Sequence, residues 1–184
     1  EGVKPYQPAG LWSALMHPAS NTKNYVRDKG ERLYRRSLYV YWKRTSPHPM
    51  MTLFDAPNRE SSCVKRSRTS TALQSLALLN ETQRIEMARK LAERLMRSAS
   101  DDKQRLDCLY TLLACRPADA RESEACLKLL EIMKERYASS MDDAKALLTT
   151  GDSPSDAALD PIELASWTQV AVTVLASDVA LSLF

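Results

Sequence analysis

Glycine and phenylalanine are scarce in this chain, with four Gly and two Phe among 184 residues. So few glycines leave little material for phosphate-cradling glycine loops or for tight primed hairpin turns. β-branched residues seldom alternate with polar ones, so nothing in the pattern asks for a sheet. No apolar run comes near the roughly 18 residues of a bilayer-spanning helix. The four cysteines, Cys63, Cys108, Cys115 and Cys126, make no C-x-x-C pair and no C-x-x-C-H run. That removes the thioredoxin-type pair, the ribbon-type zinc site and covalent c-type haem attachment. The phosphate-loop, dinucleotide, zinc-protease and nucleophile-elbow signatures are missing too. No basic-then-apolar leader opens the chain, and Glu1-Gly2-Val3-Lys4-Pro5 reads as interior sequence. The expectation is therefore the C-terminal part of a larger protein, with any export signal upstream.

What remains is helical. Leu106, Leu109, Tyr110 and Leu113 fall at i, i+3, i+4, i+7, and Cys126, Leu129, Leu130, Met133 and Tyr137 repeat and extend the pattern. Ile85, Ala88, Leu91, Ala92, Leu95 and Met96 mark a further amphipathic helix. Met141, Ala144, Leu147 and Leu148 mark a shorter one that Gly151 can close. A last helix over residues 161–175 carries Leu164, Trp167, Ala171 and Val174 on one stripe, with Val170 and Val172 adding apolar bulk elsewhere. Three starts are signposted by a capping side chain and an acceptor three residues on: Asn80 with Gln83, Asp119 with Glu122, and Asp160 with Glu163. Pro161 suits the first helical position, where its missing N–H goes unmissed. Cys108 and Cys115 would share a helix face about 10 Å apart, too far for a disulfide. The three cysteines of this half read as small buried hydrophobes. Asp152-Ser153-Pro154-Ser155-Asp156 reads as its one flexible loop.

The first third differs. Residues 23–68 hold twelve Lys/Arg against four Asp/Glu, a balance of +8 in a chain of net +3, so the rest carries −5. A short helix is expected around residues 9–16. A longer one is expected over residues 33–44, with Tyr34, Leu38, Tyr41 and Trp42 on a buried face and Arg32, Arg35, Arg36, Tyr39 and Lys43 on the other. Residues 46–69 read as a long loop broken by Pro47, Pro49 and Pro57, a length that is uncommon unless function or side chains hold it.

Several blocks in this third carry a resemblance: Lys4-Pro5-Tyr6-Gln7-Pro8-Ala9-Gly10-Leu11-Trp12, Leu33-Tyr34-Arg35-Arg36-Ser37-Leu38-Tyr39, Trp42-Lys43-Arg44-Thr45, Phe54-Asp55-Ala56-Pro57-Asn58-Arg59-Glu60, and Arg68-Thr69 through Leu79-Asn80. In order and spacing the chain resembles the family of domains of unknown function numbered 1553, found in large proteins of planctomycetes and their relatives. It departs from that pattern at Ser70 and Ala72, where Asn and Pro are usual, and around Leu175-Ala176-Ser177-Asp178. The resemblance implies an exported multidomain protein, periplasmic or extracellular, in which an upstream c-type cytochrome domain carries the haem. It implies the neighbouring upstream domains as partners and transfers no catalytic residue.

Two readings are open for the basic segment. Arg35, Arg36, Arg59, Lys65, Arg66 and Arg68 can converge on an anion such as a sulfated or uronic-acid polysaccharide, since guanidinium forks take such groups in bidentate fashion. Alternatively the arginines pair with Asp28, Asp55 and Glu60 to clamp the long loop, because loop backbone and buried arginine both need partners. The clamp is the reading preferred here. Asp55 and Glu60 as an acid/base pair of a carbohydrate-active enzyme are weakened by Arg59, which would hold their pKa values down. His17, His48, Met50 and Met51 are too dispersed for a metal or axial haem site. No metal, no haem in this chain, no nucleic-acid partner and no membrane span are expected. The expectation is thus one all-α domain over residues 1–184, an irregular bundle of about six to seven helices with a Pro/Arg-rich loop pinned on it. It divides into a motif-rich basic region, 4–96, and a helical remainder, 97–184. Its expected role is non-catalytic binding or domain assembly; the alternative is part of a carbohydrate-active or redox enzyme whose site is shared with upstream domains. The candidate residues are Arg35, Arg36, Asp55, Arg59, Glu60, Arg66 and Arg68.

Overall fold

A computed structural model describes residues 2–181. The chain is all-α: 58% is helical, with nine helices among the described residues, six of them seven residues or longer, and no strand. They are α1 (Leu11–Leu15), α2 (Pro49–Leu53), α3 (Ala72–Asn80), α4 (Thr82–Ser98), α5 (Asp102–Ala114), α6 (Ala120–Ser139), α7 (Met141–Leu148), α8 (Pro161–Leu175) and α9 (Asp178–Leu181). The chain gathers into two compact units, residues 1–77 and 78–184.

The second unit is built around α8, which packs against α4, α6 and α7. Its all-round apolar composition explains that position: Leu164, Ala165, Trp167, Val170, Ala171, Val172 and Val174 are all buried. Leu95 and Ala92 of α4, Leu106 and Leu109 of α5, and Leu130 and Tyr137 of α6 complete the core. Two of the three expected caps form. Glu122 N–H donates to Asp119 Oδ1 at 2.8 Å while Glu122 Oε2 accepts from Asp119 N–H at 2.8 Å, a full capping box. Glu163 N–H donates to Asp160 Oδ1 at 2.8 Å, behind Pro161 at the first helical position. The third lies one residue further on than expected. α3 runs through Asn80, so Glu81 caps α4 by accepting from Arg84 N–H at 2.9 Å. Asp101 caps α5 in the same way, accepting from Gln104 N–H at 3.1 Å.

Arg105 shows how this unit handles a buried charge. Its guanidinium donates to Glu163 Oε1 at 2.6 Å, Asp102 Oδ1 at 3.1 Å and the Ala99 carbonyl at 2.8 Å, joining the starts of α5 and α8. The cysteines correct the expectation of uniform burial. Cys126 is buried and Cys108 half-buried, but Cys115 is the exposed left-handed C-cap of α5 at φ 56°.

The first unit has much less apolar interior: Val3, Trp12 and Leu33 are its buried hydrophobes. Here the expected helix over residues 33–44 does not form. Two 3-10 turns, Gly30–Tyr34 and Ser37–Tyr39, are followed by extended chain that bridges to the N-terminal segment. The backbone gives the reason: Val3 N–H donates to the Tyr39 carbonyl and Tyr41 N–H to the Val3 carbonyl, each at 2.8 Å. Groups that a helix would use internally are already taken by Val3, which is 2% exposed. On a helix, Arg32 and Arg36 would also have stood at i, i+4 as like charges. The buried residue is Leu33; Tyr34 and Leu38 are exposed and Trp42 is half-buried. Within residues 46–69 the chain makes one turn of helix, α2, with Pro49 at its start.

Candidate functional site

Aromatic rings and cations frame the first unit. The Trp12 ring lies 4.8 Å from Tyr25 and 6.2 Å from Tyr41, with the Lys43 ammonium 5.1 Å from the Trp12 centroid. Lys43 Nζ also donates to Thr22 Oγ1 at 2.6 Å and to the Thr22 carbonyl at 3.2 Å. Lys4 stands 5.6 Å over Tyr41 and Arg27 stands 4.3 Å over Tyr6. Each such pair contributes about 0.5–2 kcal/mol depending on how dry it is. Tyr25 donates its hydroxyl to the Pro5 carbonyl at 2.6 Å, and burial, helped by the Asp28 carboxylate, pushes the phenol up to about 12.

On this frame the seven candidate residues have different fates. Asp55 is in the left-handed region at φ 56°, and its Oδ2 accepts from Thr69 N–H at 3.0 Å and Thr69 Oγ1 at 2.7 Å. Gln74, buried at the start of α3, donates to Thr69 Oγ1 at 2.9 Å and to the Leu53 carbonyl at 2.8 Å. Arg66 donates to the carbonyls of Asp55 at 3.2 Å and Phe54 at 2.9 Å. Arg59, also left-handed at φ 62°, rests its guanidinium 5.1 Å over the Trp42 ring. Glu60 pairs with Arg44 at 3.1 Å, both side chains exposed. Arg35, Arg36 and Arg68 are exposed, like Lys65, and none of the four makes an ion pair or side-chain hydrogen bond among the described residues. The segment from 59 to 74 thus folds back on 42–55 through backbone carbonyls, Thr69 and an aromatic face. Among the described residues no arginine pairs with the Asp55 carboxylate, and Asp28 takes Lys4 N–H at 2.8 Å and Arg32 at 3.8 Å.

The second unit holds a charged cluster that the sequence reading passed over. Glu86, Arg89, Lys90, Glu93 and Arg97 stand at i, i+3, i+4, i+7, i+11 on α4. Glu86 and Arg89 are 0% and 1% exposed. Arg89 donates to the carbonyls of Leu148 and Ser153, and Glu86 Oε1 accepts from Ser153 N–H at 2.6 Å. Lys90 donates to the Pro154 carbonyl at 2.6 Å, and Glu93 Oε1 accepts from Asp156 N–H at 3.1 Å. Arg97 grips the Asp156 carboxylate with two donors. A hydrogen bond from Ala158 N–H, then the Arg97 guanidinium, hold the Asp156 carboxyl below the usual aspartate value. Gly151 has φ 89°, and a Cβ there would clash with the Glu86 side chain. The loop expected to be flexible, residues 152–156, is in fact bound rung by rung to α4. The signal was present as a helical stripe of charge, a pattern ordinarily read as a solvated face.

Among the described residues no three or more His, Cys, Asp or Glu side chains gather as a metal would need, and no helix is long and apolar enough to cross a membrane. A family model described as PSD1, Protein of unknown function (DUF1553), matches residues 1–130. The chain belongs to this family. The match takes in all seven candidate residues, the whole first unit and α4 and α5, and it ends within α6. No curated protein and no solved structure matches the chain.

Proposed function

We propose that this member of the family is a non-catalytic binding or assembly module whose first unit presents free cations to an acidic polysaccharide. One observation carries the reading. Arg35, Arg36, Lys65 and Arg68 stand exposed with no partner among the described residues, whereas Asp55, Arg59, Glu60 and Arg66 are engaged in holding the loop. In this reading the two roles open to the basic segment are divided between different residues. The scaffold falls to the second group and the ligand to the first. Guanidinium groups suit sulfate and carboxylate, and exposed Tyr34 and Tyr39 flank the Arg35–Arg36 pair as stacking faces for sugar rings. In this reading the chain works in the periplasm or outside the cell, within a parent polypeptide whose upstream domains are its neighbours and carry the haem. Its own residues hold neither haem nor metal.

The test is calorimetric titration of the protein with heparin and with polygalacturonate at low ionic strength and at physiological salt. Binding to at least one, weakened by salt because the charges are exposed, is the expected result. A variant with Arg35, Arg36, Lys65 and Arg68 all changed to Gln is expected to melt normally and to lose that binding. Equal binding by the variant, or none by the wild type, overturns the proposal.

A further inference from the structure

We infer that the Lys65–Arg66 peptide bond is a built-in scission site for an endoprotease of trypsin-like specificity, one whose primary pocket is floored by a carboxylate. A protease needs an extended, accessible stretch whose backbone is free to lie along its cleft. Residues 57–70 make no backbone-to-backbone hydrogen bond among the described residues, and residues 58–71 are exposed without interruption. Between Ser61 and Lys65 no side-chain hydrogen bond, ion pair or ring contact ties the segment down among the described residues, and Val64 is wholly exposed at 102%.

The contacts on either side select the bond. A primary-pocket residue must surrender its side chain. Arg66 has committed its guanidinium to the carbonyls of Phe54 and Asp55, at 2.9 and 3.2 Å. Arg59 lies on the Trp42 ring with a left-handed backbone, the wrong geometry for an extended substrate. The bond after Arg68 runs into Thr69, whose N–H and hydroxyl are both held by Asp55. Of these four, Lys65 alone combines a free side chain with a following bond whose two residues have no backbone group held among the described residues. Elsewhere in the first unit, Arg35 and Arg36 cap two successive 3-10 turns, with the Arg36 carbonyl accepting from Tyr39 N–H at 2.9 Å, and Arg44 pairs with Glu60; Lys23 donates its N–H to the Ser20 carbonyl at 3.2 Å, and Lys29 immediately precedes a 3-10 turn.

In the scission, water oxygen bonds to the Lys65 carbonyl carbon and the C–N bond breaks. The bonding electron pair stays with the Arg66 nitrogen, which takes up both protons of the water, leaving a carboxylate on Lys65 and an ammonium on Arg66. No oxidant or reductant is required. The cut would place Arg35, Arg36 and Lys65 on one fragment and Arg68 with the whole second unit on the other. It is therefore a way of dismantling a cation array that spans both. The inference concerns backbone access and does not depend on what the cations bind.

The experiment is trypsin digestion of the full chain under native conditions, followed by intact-mass spectrometry. The first products should be residues 1–65 and 66–184, and Lys65→Gln should slow loss of the intact chain about tenfold, because every other cut then waits on local opening. Any other first pair of fragments, or an unchanged rate in Lys65→Gln, overturns the inference. Heparin in the same digest separates the two proposals. First cutting at Lys65 with no protection by heparin upholds the scission site and counts against the polyanion site.

Discussion

Two loops in this molecule solve the same problem by opposite means. The loop of residues 149–160 in the second unit has almost no apolar anchor, yet buried Glu86 and Arg89 bind its backbone from below. The longer loop of residues 46–71 in the first unit is dense in arginine, yet its arginine ties are exposed: Arg66 to two carbonyls, Arg59 to a ring. Abundance of charge therefore says little about where charge holds the backbone. A cation beside water is compensated already, while one shut inside must find a carbonyl or a carboxylate, and whatever it finds becomes fixed.

Mutations can break this contrast. The largest effect should come from the two tryptophans that represent their units. Trp167→Ala, at 0% exposure in the middle of α8, is expected to cost about 3–5 kcal/mol in denaturant melts. Trp42→Ala, half-buried under an exposed guanidinium, should cost about 1–2 kcal/mol, the sum of partial burial and one cation–π contact. Equal losses would mean that the first unit has a packed interior after all.

Next come the arginines themselves. Arg89→Met keeps apolar volume but leaves the carbonyls of Leu148 and Ser153 without donors, and should cost about 2–4 kcal/mol. Arg66→Met removes comparable bonds in the open and should cost at most about 1 kcal/mol. If both variants melt alike, burial is not what distinguishes the loops. Gly151→Ala tests the tight side of the same contrast. It places a Cβ against Glu86 at φ 89°, for a loss of roughly 1–3 kcal/mol.

The smallest effect is a pH response confined to the first unit. The Tyr25 phenol is raised from 10.0 to about 12, so its bond to Pro5 contributes fully below pH 10. That contribution is lost as pH climbs from about 10 to about 12. Tyr25→Phe should flatten this decline while starting from a lower stability at neutral pH. An unchanged alkaline slope would remove Tyr25 from the account.

Sequence periodicity located α5 to α8 because their apolar stripes answer to one core, and the signals at Asp119 and Asp160 fixed two starts to the residue. It failed over residues 33–44, where Tyr34, Leu38, Tyr41 and Trp42 fit a helical stripe by spacing alone. The competitor, Val3, lies some 37 residues away in the chain as the partner of Val40, and no local window contains it. The candidate site was half legible. Arginine density marked out the segment, but which arginines are occupied depends on Thr69, Gln74 and the carbonyls of Phe54 and Asp55, partners that carry no charge to betray them. The α4 cluster was missed for the mirror-image reason: its charges looked solvated because a Gly-Asp-Ser-Pro loop gives no hint of lying over them.

The central place of α8 has a consequence for how the chain is born. α4 and α6 leave the ribosome well before the helix that covers them, since α4 ends at Ser98 and α8 begins only at Pro161. At roughly 5–20 residues per second, the apolar faces of α4 wait on the order of several seconds for their partner. During that interval the nascent second unit is a set of sticky amphipathic helices, and a holdase that shields them until residues 161–175 emerge would raise the yield of folded protein without touching its final stability.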